Sequence, residues 1–241
     1  MTFLTLTFYD DHFQSDFFRI DWPNDKPLTR ARISPQKMKG LVYTDLIMLN
    51  RSTSERVFFA TGTQLIKEHE KMKRVLKSLG EPFDEHVSVR KEVTVGFFRR
   101  RTIPKKVGLL FGSTANPETI GKIFDSYVSW HALSWPFAFV VADREPPGWK
   151  SQIEPLVSLS TVAGKPSMPA FLIENSHAIM VTEFEYSIIF LSDKIGRKQL
   201  IDVGTEIAKR HSLDLSVEEN REFDQNTKAI PRMNKQDVST C

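Results

Sequence analysis

One stretch constrains the fold more than any other: K-V-G-L-L-F-G-S-T-A-N-P-E-T-I-G-K-I-F-D-S-Y-V-S-W-H, Lys106–His131. Val107–Phe111 is short, continuously apolar and closed by Gly112, the pattern of a buried strand. Asn116 then stands where a helix N-cap belongs, with Pro117 at the first helical position and Glu118 in the first turn. Ile120, Ile123, Phe124, Tyr127, Val128 and His131 follow as one helical stripe. The reading is strand, small-residue loop, amphipathic helix.

The flanking sequence yields further elements. Leu4, Leu6 and Phe8 alternate with Thr5 and Thr7, which predicts a half-buried strand, and Asp10–Lys39 is broken by Pro23, Pro27 and Pro35. Leu41–Asn50 and Arg56–Ala60 are expected to be strands around the turn-prone N-R-S-T-S. Thr63 can cap a helix carrying Leu65, Ile66, His69, Met72, Val75, Leu76 and Leu79, with Gly80 and Pro82 as its stop. Val87–Arg99 is one long strand or a hairpin, and R-R-R-T-I-P-K-K closes it. Beyond the opening stretch, Phe137–Val141 is a second buried strand. A short helix is expected to start at Pro155, because proline inside a helix costs about 3 kcal/mol. Ala170–Ile173 and Ala178–Thr182 are expected strands around E-N-S-H. Tyr186–Leu191 is a strand or extended connection, and Lys194–His211 is a helix striped by Leu200, Val203, Gly204, Ile207 and Ala208.

The expected class is therefore α/β, with an α+β unit over residues 1–104, an α/β unit over 105–213, and a disordered tail over 214–241. The boundary is placed near Thr102–Lys105. The 40% hydrophobic and 26% charged residues suit a globular chain with a real core. A net charge of +3 identifies no partner by itself. Thr2–Tyr9 is too short, and too soon followed by Asp10 and Asp11, for a secretory signal. No apolar run reaches the roughly 18 residues of a membrane span. The single cysteine, Cys241, excludes an intrachain disulfide, a Cys-x-x-Cys pair and a Cys-rich zinc site. A cytoplasmic protein is expected.

From Val107 the order strand, helix, strand, helix, strand, strand, helix resembles the thioredoxin-like core. In P-S-M-P-A-F-L-I-E-N-S-H-A-I-M-V, Pro169 is similar to the cis-proline that begins the third core strand of that family. The resemblance covers Val107–His211. It implies a mixed central sheet with flanking helices and a shallow peptide groove. Ser113, Thr114, Ala115 and Asn116 would lie on one side of the groove, and Met168 and Pro169 on the other. The position of the family's Cys-x-x-Cys reads S-T-A-N-P-E-T here, so disulfide exchange is not expected.

Three functional readings follow. The first is a non-catalytic module that binds a protein or peptide in that groove, with no cofactor and no metal. The second is a phosphate- or nucleotide-handling enzyme centred on Gly112–Thr119. There, backbone N–H groups at a helix start and the Ser113, Thr114 and Thr119 hydroxyls can hold an anion, although the lysine and spacing of a Walker A loop are missing. The third is nucleic-acid binding through Arg90–Lys106. In that segment Arg99, Arg100, Arg101, Lys105 and Lys106 join Arg90 and Lys91, interleaved with Val95, Phe97 and Phe98. The acidic cluster Asp10, Asp11, His12, Asp16, Asp21 and Asp25 matches no calcium loop. Trp130, His131 and Trp135 read as core packing at a helix exit. Asp143, Arg144 and Glu145 read as a solvated turn at a strand end. Oligomeric state stays open.

Overall fold

The computed structural model describes residues 2–9, 15, 18–23, 25–37, 39–63, 66–95, 100–116, 119–124, 136–158, 165–182 and 187–220. In chain order these form β1 (Phe3–Tyr9), β2 (Arg19–Asp21), β3 (Thr29–Pro35), α1 (Lys39–Leu49), β4 (Arg56–Thr63), α2 (Ile66–Ser78), β5 (Phe83–Val95) and β6 (Arg100–Thr114). Then come α3 (residues 119–124), β7 (Phe137–Ala142), α4 (Trp149–Val157), β8 (Ser167–Pro169), α5 (Ala170–Glu174), β9 (Ala178–Thr182), β10 (Ile188–Ser192), α6 (Arg197–Arg210) and β11 (Asp214–Asn220).

Nine strands make one sheet in the order β11-β1-β3-β10-β9-β7-β4-β6-β5, and β2 pairs with β8 in a separate ribbon. Among the described residues, only the β1–β11 neighbours within the large sheet run parallel. The central strands β7, β9 and β10 are buried at every residue, the mark of a sheet covered on both faces. On one face Leu4, Ile33, Phe59, Phe137, Phe139 and Phe190 pack under α1, α2, α3 and α6. On the other, Phe58, Phe111, Val140 and Ile189 pack against α4, α5 and the β2–β8 ribbon through Trp149, Ile153, Leu172, Phe18 and Met168. The architecture is three-layered, mixed α/β.

Several expectations change. The boundary near Thr102–Lys105 falls inside β6, and strands from both expected units interleave in one sheet, β4 lying between β6 and β7. Asp214–Asn220, expected in the tail, is a strand paired with β1 along its whole length, from Phe3↔Asp214 to Tyr9↔Asn220; residues 221–241 lie outside the described set. Leu41–Leu49 of the expected Leu41–Asn50 strand is helical, not extended. Its buried residues Val42, Tyr43, Leu46 and Ile47 form a helical stripe, which outweighs the β-favouring composition. Ala170–Ile173 is likewise a short helix, with Pro169 at its N-cap position. Pro155 lies inside α4 because Trp149 and Ile153 before it and Leu156 and Val157 after it are buried on the same core. The Met168–Pro169 bond is trans: no cis peptide occurs among the described residues.

Other expectations hold. The Val107–Phe111 strand, the Phe137–Val141 strand, the helix ending at Gly80 and the late helix of the Lys194–His211 segment are all present. Gly80 takes φ 67°, the left-handed conformation that stops a helix at low cost. Val87–Val95 lies in β5, one side of a hairpin with β6, and residues 96–99 lie outside the described residues.

Candidate nucleic-acid interface

The basic segment of the sequence becomes a projecting ribbon. β5 and β6 pair from Phe83↔Gly112 out to Val95↔Arg100. β4 accompanies β6 only from Val57↔Thr114 to Thr63↔Gly108. Residues 88–95 and 100–107 therefore pair with each other and with no third strand among the described residues. At about 3.3 Å per residue this two-stranded arm reaches roughly 26 Å past the sheet.

Charge concentrates on this arm. Between residues 88 and 107 there are seven Lys and Arg and one carboxylate, Glu92, while the whole chain carries only +3. The rest of the protein is thus net acidic. Register places Arg90 opposite Lys105, Thr94 opposite Arg101 and Val95 opposite Arg100. Arg100, Arg101, Lys105 and Lys106 lie on β6. Arg99, Phe97 and Phe98 lie outside the described residues.

The root of the ribbon is gripped from both layers. On the α2 side, Glu85 Oε1 lies 2.7 Å from His69 Nε2 and Glu85 Oε2 accepts from Lys73 Nζ at 2.8 Å. The Lys73 hydrogen bond, then the His69 one, hold the Glu85 carboxyl below its usual range. Lys73 is raised in turn, mainly by its bonds to Glu85 and Glu70. On the α4 side, His86 stacks on Phe111 with ring centroids 5.0 Å apart and planes 8° from parallel, and its Nε2 lies 3.3 Å from Glu154. Lys150 bonds Asp84 beside it. A closely packed glycine completes the seat: a Cβ on Gly108 would stand 2.7 Å from the His69 ring.

The remaining expected sites are otherwise engaged. Gly112, Ser113 and Thr114 belong to β6 rather than to a loop. The Thr114 and Thr119 hydroxyls, both buried, donate to the same Glu81 oxygen at 2.7 and 2.8 Å. Thr114 Oγ1 also accepts from the Asn116 N–H, Ser113 Oγ accepts from Arg56, and the Ala115 carbonyl accepts from Arg51. A carboxylate thus sits where the anion was expected. Met168 is buried and pairs with Ile20 in the β2–β8 ribbon, and Pro169 pairs with Asp21. His69 and His211 are partly buried, with Glu85 and Asp45 as partners. The Trp130, His131 and Trp135 run and the Asp10, Asp11, His12 and Asp16 cluster lie outside the described residues. Among those described, no group of three or more His, Cys, Asp or Glu is placed to hold a metal ion, and no helix is long and apolar enough to cross a membrane.

The sequence reading missed one pair. Buried Glu55, just before β4, faces His177, just before β9, with Oε1 3.2 Å from Nδ1. Nothing in the sequence links the two; only strand pairing brings them together. No protein-family model, no curated protein and no solved structure matches the chain.

Proposed function

We propose that this protein binds nucleic acid through the β5–β6 ribbon. The observation that carries the reading is the arm itself: six cations on the sixteen described residues 88–95 and 100–107, a two-stranded antiparallel ribbon that no third described strand accompanies and that is anchored at its root in both helical layers. A two-stranded ribbon has the dimensions to enter the major groove of a duplex, about 12 Å wide. Its cations displace counterions from the phosphates, which supplies affinity without sequence preference. A clamped root holds the arm in one direction, so less conformational entropy is lost on binding.

The geometry favours this over the two other readings. A peptide entering beside Met168 would have to displace β2 from β8. A phosphate at Ser113–Thr119 would meet the Glu81 carboxylate.

The test is equilibrium binding of a fluorescent 20-base-pair duplex and a matched single strand at low salt. Wild-type protein is expected to bind the duplex, and the triple variant Arg100→Glu, Arg101→Glu, Lys105→Glu to bind it at least a hundredfold more weakly. Absence of duplex binding by the wild type, or equal affinity in the variant, overturns the reading. Preference for the single strand moves the contact from groove to stacking surface.

A further inference from the structure

At the end of the sheet opposite the ribbon, the Glu55–His177 pair opens onto a cavity of about 210 Å³ walled by Asp143, Arg144, Glu174, Asn175 and Lys194. Its central groups are held. Glu55 is 5% exposed; its Oε2 accepts from the Ser52 N–H at 2.6 Å and its Oε1 faces His177 Nδ1. The backbone of His177 is pinned on both sides, its N–H donating to the Val141 carbonyl at 2.7 Å and its own carbonyl accepting from Ser192 Oγ at 2.6 Å. With Nδ1 on the carboxylate side of the ring, 3.2 Å from Oε1, the imidazole turns its Nε2 edge away from Glu55. Lys194 Nζ gives one hydrogen to the Ser176 carbonyl and one to the Glu174 carbonyl at 3.1 Å. An ammonium has three donors, so one remains.

We propose that this cavity is a hydrolytic site for small carboxylic esters, with His177 as general base, Glu55 as its positioning residue and Lys194 as the cation facing the carbonyl oxygen. His177 Nε2 takes a proton from water as the water oxygen bonds to the acyl carbon. The bond from acyl carbon to alcohol oxygen then breaks. The imidazolium returns the proton to the leaving oxygen, so that ester and water become acid and alcohol with no other reactant. Charge that develops on the carbonyl oxygen meets the remaining Lys194 donor, already fixed in place. Arg144, also in the wall, is the cation for esters that carry a second, anionic group. Such positioned proton transfer contributes about 10²–10⁴-fold to a rate. The site is independent of the ribbon: it occupies the other end of the strands and needs none of the basic residues between 90 and 106.

The test uses the full chain with 4-nitrophenyl acetate and the 4-nitrophenyl half-ester of succinic acid. Expected are turnover above free imidazole at equal concentration, preference for the half-ester, and loss of at least a hundredfold in kcat for His177→Gln. Glu55→Gln should lower kcat about tenfold or more with KM little changed. A nitrogen NMR spectrum of the unmodified protein reads the tautomer without any substitution. Protonated Nδ1 and bare Nε2 at neutral pH are expected. The opposite tautomer, a wild type no faster than imidazole on both esters, or a folded His177→Gln variant as fast as wild type each overturns the proposal.

Discussion

Glu85 and His86 are neighbours in β5 and hold the root of the ribbon from opposite faces of the sheet, Glu85 through His69 and Lys73 on α2, His86 through Phe111 and Glu154 on α4. Alternation along a strand makes this possible, since consecutive side chains point to opposite faces. One dipeptide thereby ties a projecting arm to both layers.

The Glu85 clamp predicts a pH signature. Its carboxyl sits below the usual 4.5, first through Lys73 and then through His69. Its stabilising contribution is therefore present above the unfolded-state value and lost as pH falls through the folded one. Lys73 is raised above 10.5, so its contribution is present below that value and lost at more alkaline pH. Thermal melts across pH should show Glu85→Gln flattening both limbs, most visibly the acid one below about pH 4.5.

Gly62→Ala tests how tightly α4 lies on the sheet. A Cβ there would stand 2.2 Å from the Val157 carbonyl oxygen, a backbone atom that moves only with the helix. Overpacking of this kind costs about 1–3 kcal/mol. The melting temperature should fall by about 2–4 °C per kcal/mol.

Glu81→Ala removes the acceptor shared by Thr114 and Thr119. Both threonines are about 1% exposed, so their hydroxyls gain little from water. Destabilisation of about 1–3 kcal/mol is expected in a chemical denaturation curve. Glu81→Gln, which keeps an acceptor, should recover much of it.

Ending the chain after Leu213 removes β11 and leaves β1, still paired with β3, as the open edge of the sheet. Lower thermal stability and concentration-dependent aggregation should follow, read by light scattering. Unchanged behaviour would contradict a structural role for β11.

The sequence was most legible where one period ran unopposed. Leu4, Leu6 and Phe8 gave β1, and the continuous apolar run Phe137–Val141 gave a central strand. It misled where composition and period disagreed. Val42, Tyr43, Thr44 and Ile47 favour strands by type but are spaced for a helix, and burial decided in favour of spacing. The β11 strand was hidden because Leu215 and Val217 alternate over too few residues, among acids, to stand out. The basic segment was visible as charge, and its hairpin as one of two options. That it outruns β4, and so stands alone, depends on pairing between distant strands. The anion loop failed for the same reason: Glu81 is far from Thr114 in sequence and adjacent in space.

The most direct test of the central claim is the salt dependence of duplex binding, compared between wild type and charge-neutral variants of the ribbon. The logarithm of the binding constant should fall linearly with the logarithm of salt concentration, by about 0.9 for each phosphate neutralised. Arg100→Gln, Arg101→Gln and Lys105→Gln should each make that slope shallower by about one, while Lys198→Gln on α6, away from the ribbon, leaves it alone. A slope near zero, or one that the ribbon substitutions do not change, contradicts the account.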